Sequence, residues 1–209
     1  CSSDLGEEIQ PLRTVEPKQL GERRISLAAN AEPVMLIGFH KPSFPDKDDA
    51  VMSVISGLLT SGRTSRLYKD LITDKQIAFN IASGSTPGQR YDNLFVIQAS
   101  PRNPHTNEEL EKSIMDHLNK LKTEPVTADE LTKIKNNLEA NYIRGMKSNQ
   151  GMALMLMRYQ LLFGDWKMYL KMKETISSIT PEDIMNTAKK YFTEENKTAA
   201  YLIKKTTKQ

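Results

Sequence analysis

The sequence predicts an α+β fold, an antiparallel sheet with several helices packed on one face. Two observations carry that prediction. Strand-like runs cluster near the start and recur at the very end, and the second half is a succession of helical stripes with clear N-terminal caps. A chain of 209 residues, 38% hydrophobic and 26% charged, can bury a sizeable core.

Residues 1 to 23 have scattered charges, Pro11 and Pro17 and no apolar period, so they read as a linker before a single domain over 24–209. Arg24-Ile25-Ser26-Leu27-Ala28 alternates like a strand, and the apolar run from Pro33 to Phe39 suits a buried one. Pro42-Ser43-Phe44-Pro45 breaks it. Asp48 to Leu59 then sets Val51, Met52, Val54, Ile55, Leu58 and Leu59 on a helical stripe that Ser61-Gly62 ends. A second helix is expected from Thr64 to about Asp74, with Leu67, Leu71 and Ile72 inward. Ile77 to Ser83 and Leu94 to Ser100 read as two strands joined by a turn-rich stretch.

Punctuation is clearest in the second half. Thr106-Asn107-Glu108-Glu109 is a capping box, and Thr127 and Thr180 open two further helices, the last with Pro181 in its first turn. Asn149 to Phe163 and Trp166 to Ile176 lie between them, and Thr198 to Ile203 forms a closing strand. The methionines Met146, Met152, Met155, Met157, Met168 and Met172 could line an adaptable groove. Interleaved with leucines at helical spacing, they are expected to be core instead.

Composition excludes several classes. One cysteine allows no internal disulfide and no thiolate-rich metal site, and the net charge of +3, owed partly to the tail lysines, is no nucleic-acid signature. The apolar run Gly151–Phe163 is too short to span a bilayer and carries Arg158. Cys1-Ser2-Ser3-Asp4 could open a lipidated mature protein or mark a cut inside a longer chain. His40, His105 and His117 lack the one-turn spacing that would put two imidazoles on one ion. No nucleophile elbow or phosphate-cradling loop occurs. No catalytic residue and no metal ligand is therefore assigned to the chain. The basic cluster Lys133, Lys135, Arg144 and Lys147 reads as a solvated helix face.

The stretch from Leu58 through Ser65-Arg66-Leu67-Tyr68 to Leu71, continued by Asp74-Lys75-Gln76-Ile77, resembles the pitrilysin/insulinase family of inverted-motif zinc metallopeptidases. The resemblance runs on through Asp92 to Ile97, Pro125 to Leu131 and Ile179 to Ile184, and covers about Leu20 to Ile203. It implies a half-subunit of the pitrilysin and mitochondrial-processing-peptidase-like fold. In active halves of that family a helix carries His-x-x-Glu-His. Here the matching helix, Asp48 to Leu59, has an inward stripe of Val, Met, Ile and Leu. The chain therefore resembles the non-catalytic C-terminal half, and a cut at Cys1 is preferred over lipidation.

Some non-catalytic halves hold substrate with an Arg and a Tyr seven residues apart. The matching positions are Ile72 and Phe79, which lack the required groups, so the substrate-binding residues are left open. Arg66 and Tyr68 are expected to be structural. By the resemblance, the chain lines a chamber for unfolded peptide, zinc resides in the missing N-terminal half, and the partners are that half plus a second subunit or homodimer mate. A scaffold subunit and a lipid-anchored binding module are the alternatives. A bacterial periplasmic or membrane-anchored location is favoured.

Overall fold

The computed structural model describes residues 16–205 except 89 and 92. Cys1 and most of the expected linker lie outside the described residues. Five strands form one sheet: β1 (Arg23–Ala29), β2 (Val34–Lys41), β3 (Ala78–Thr86), β4 (Asn93–Pro101) and β5 (Lys197–Lys204), in the order β1-β5-β2-β4-β3. Pairing is antiparallel everywhere except between β1 and β5, which run parallel. The closing strand inserts between β1 and β2, so the first and last strands lie side by side.

Six α-helices accompany it: α1 (Lys47–Thr60), α2 (Asn107–Thr123), α3 (Ala128–Gly145), α4 (Asn149–Phe163), α5 (Met168–Ser178) and α6 (Pro181–Tyr191). The expected second helix begins two residues later than its sequence suggests and is π-helical over Tyr68–Asp74. The caps form as the sequence implies. Thr106 and Thr180 close full capping boxes, and the Thr127 hydroxyl accepts from the Glu130 amide.

Strand alternation sorts the side chains. Met35, Ile37 and Phe39 of β2 face the helices with Phe95 and Ile97 of β4, all fully buried. Phe192 seals this layer, its ring centroid 5.0 Å from that of Phe39 and 5.5 Å from that of Phe95. α1 lies in the centre of the helix layer with nine buried residues. It approaches α3 so closely that a methyl group at Gly57 would stand 2.7 Å from Ile134.

The methionine stretch is where the expectation of core packing fails. Met172 is buried, but Met152 and Met157 are exposed and α4 has no buried residue at all. The reason is placement. α4 packs on α3 and α5 at the rim of the helix layer, and its aromatic side, Tyr159 and Phe163, is half-buried against Phe44 of the loop after β2 and Tyr169 of α5.

Candidate functional site

The helices cover one face of the sheet; among the described residues the opposite face is bare. Register defines it row by row. Ile25, Ala200, Leu36, Gln98 and Ala82 lie abreast across all five strands. Thr198, Gly38, Val96 and Gly84 form the next row, and Leu27, Leu202 and Val34 flank the first. Ile25 and Leu27 are 61% and 64% exposed, and Leu36 is 40% exposed. Among these rows the one fixed charge is Arg23, opposite Thr198 at the corner. The result is an open, largely apolar surface with few charges, its polar points being Gln98 and Thr198 in the central rows and Asn80 and Ser100 towards the β3 edge. Gly38 and Gly84 leave the backbone beside Val96 low, so an extended chain could lie close to it.

A polar cluster ties α2 to β1 and β5. Glu111 of α2 accepts two hydrogen bonds from the Arg24 guanidinium at 2.9 and 2.8 Å, one from Lys197 at 3.1 Å and one from the Tyr201 hydroxyl. Burial alone would raise the Glu111 pKa; these donors outweigh it and hold the carboxyl below its ordinary value. Lys197 also meets Glu22 at 2.9 Å, and Gln19 donates to the Lys197 carbonyl at 2.8 Å. The segment entering β1 is thereby strapped to the body of the domain.

The positions singled out in the sequence are scattered. Ile72 is half-buried on the π-helix, packed against the core, whereas Phe79 is 71% exposed beside a bulge at the start of the edge strand β3. Arg66 forms a two-pronged pair with Glu130 in the first turn of α3, at 2.8 and 2.7 Å. Tyr68 is half-buried. Of the basic cluster, Lys133 donates to the Thr64 hydroxyl and Lys135 to the Ser177 carbonyl at 2.7 Å.

The histidines stay apart and have separate partners: His40 faces Glu16 at 3.4 Å, His105 faces Glu109 at 2.9 Å, and His117 bonds Asp70 at 2.9 Å. Asp70 is kept ionised below its ordinary pKa, for although burial pushes it up, Lys75 and His117 prevail. Sequence reasoning missed the Asp70–His117 pair because 47 residues separate them. Among the described residues no three His, Cys, Asp or Glu side chains are grouped to hold a metal ion, and the buried side of α1 offers hydrocarbon and sulfur apart from Asp49, whose carboxylate is paired with Lys41. These residues do not fit a catalytic zinc.

The peptidase M16 inactive domain matches residues 3–138. The chain belongs to that family. Its relatives agree with the assignment. The M16 domain is 27% identical over 190 residues to the zinc protease PqqE of Helicobacter pylori, which covers 90% of this chain and 42% of PqqE. A solved protease from H. pylori superposes with a TM-score of 0.86 at 27% identity, covering 95% of this chain and 48% of that one. The M16 inactive domain from Pseudomonas fluorescens superposes at 0.73 with 17% identity, covering 90% of this chain and 44% of that one. The chain thus spans less than half the length of the H. pylori proteins it matches. No helix among the described residues is long and apolar enough to cross a membrane.

Proposed function

We propose that this M16 inactive domain is the non-catalytic half of a zinc endopeptidase and that its bare sheet face forms part of the wall of a chamber for unfolded peptide. The observation that supports this reading most is that sparsely charged face, five strands wide and unclaimed by any helix among the described residues. An apolar, gently twisted surface with exposed backbone rows accepts many peptide sequences in extended form, because it makes few demands on side-chain charge. Zinc and the glutamate that activates water are supplied by the N-terminal half, and closure of the two halves over a peptide excludes bulk water. The Glu111 cluster fixes the segment ahead of β1, which sets the direction from which a preceding half would approach. Ile72 and Phe79 bring no charge or hydroxyl to the substrate, so this half contributes surface and shape.

The purified chain supplied with zinc is expected to cleave no unfolded peptide. A photoreactive unfolded peptide is expected to crosslink to outward residues such as Leu36 and Val96. Chelator-sensitive cleavage by the chain alone, or crosslinks confined to the helix layer, would overturn the proposal.

A further inference from the structure

The rim helix α4 and the start of α5 present a surface that the chamber reading does not use. Leu154, Met157 and Leu161 recur along one stripe of α4 and are 53%, 57% and 72% exposed. Trp166, in the turn that follows, and Leu170, at the start of α5, extend it at 44% and 52%. Trp166 is fixed there, since its backbone amide donates to Gln160 of the last turn of α4 at 3.2 Å. Side chains this apolar and this exposed, gathered in one place, mark a surface that works against a partner.

The charges around the stripe select the kind of partner. Residues 139–174 hold six cations against three carboxylates, a local net charge of +3. Lys173 is paired with Glu139 at 2.7 Å. Lys167 and Lys171 remain on the exposed side, and the Lys167 ammonium lies 5.9 Å from the Trp166 ring. An uncharged protein surface would account for the hydrocarbon but not for the positive charge around it. An anionic bilayer accounts for both. Leucine, methionine and an indole enter the boundary between headgroups and acyl chains, and lysines meet the phosphates above it.

We propose that the α4–α5 corner docks reversibly on an anionic phospholipid membrane. The stripe is one helix and a turn, far short of a span, so the attachment is peripheral. It does not depend on the chamber proposal, which concerns the outward side chains of the strands.

Trp166 is the sole tryptophan of the chain, so its fluorescence reports on this corner alone. With unilamellar vesicles of mixed phosphatidylglycerol and phosphatidylcholine, its emission is expected to shift to the blue. Acyl chains carrying bromine are expected to quench it, and the protein should float with the vesicles. Phosphatidylcholine alone should give none of these effects, and added salt should weaken them. Leu161→Asp, and separately Lys167→Glu with Lys171→Glu, should each weaken binding by about tenfold or more with the circular dichroism unchanged. Leu27→Asp on the sheet face should bind as the wild type does. Three results would overturn the proposal: no shift at any phosphatidylglycerol content, equal binding by all variants, or a dimer in sedimentation velocity that protects Trp166 and is broken by Leu161→Asp.

Discussion

Helices α1 and α4 are close in length, and α4 is the more apolar, with ten apolar residues among its fifteen against seven among the fourteen of α1. Yet α1 buries nine residues and α4 buries none. Hydrocarbon content says that a helix wants a partner; only placement says whether the domain itself supplies one. α1 is central, between the sheet and α3, α5 and α6. α4 sits at the rim, where its aromatic edge is claimed by Phe44 and Tyr169 and the stripe of Leu154, Met157 and Leu161 is left exposed. The same contrast divides the two faces of the sheet. Phe39, Phe95 and Phe192 lock the covered face, while Ile25, Leu27 and Leu36 lie open on the other.

The sharpest way to break the comparison is to remove the same side chain from each helix. Leu58 of α1 is 1% exposed and surrounded by the core. Leu58→Ala should cost about 2–5 kcal/mol in urea unfolding, through lost burial and the cavity left behind. If that loss were no larger than for a rim leucine, α1 would not be the centre of the core.

A polar contact that bridges layers should rank next. Glu111 joins α2 to β1 and β5, and it is the acceptor for Arg24, Lys197 and Tyr201 together. Glu111→Gln leaves these donors without their anion and should destabilise by about 3 kcal/mol at neutral pH. The sign of the pH dependence follows from the depressed Glu111 pKa. The folded protein holds this proton less tightly than the unfolded chain does, so the contribution is present above the ordinary carboxylate range. It fades as the pH falls through the folded value. The gap between wild type and variant, measured by urea unfolding at a series of pH values, should therefore close in acid. A gap independent of pH would mean that Glu111 acts by packing alone.

Local signals in the sequence were faithful. Thr106, Thr127 and Thr180 start their helices because a hydroxyl must satisfy an amide in the first turn, a requirement confined to four residues. Strand positions were legible for the same reason, within a residue or so at most ends and three at the end of β3. The bare face was not, since alternation marks two sides of a strand without saying which one the helices will cover. The methionines of α4 misled because periodicity at a rim looks the same as periodicity in a core. The parallel pairing of β1 with β5, the Arg66–Glu130 pair and the Asp70–His117 pair are all long-range, and no window of sequence contains both partners. For the candidate site, the apolar stripe of α1 was readable, whereas the apolar rows of the sheet became visible only through register.

The smallest expected effect completes the contrast. Leu161 is 72% exposed, so the folded state shelters little of it, and truncation opens no cavity. Leu161→Ala should change unfolding stability by less than about 0.5 kcal/mol, the usual range for a surface position. It also keeps a strong helix former in place, so α4 itself should persist. A loss of 2 kcal/mol or more, on the order of a core truncation, would show that α4 is sheltered within the domain in solution. Its hydrocarbon would then be spent on folding, with nothing left to offer a partner. A near-zero cost would leave Leu154, Met157 and Leu161 as a stripe that the domain does not need covered in order to fold.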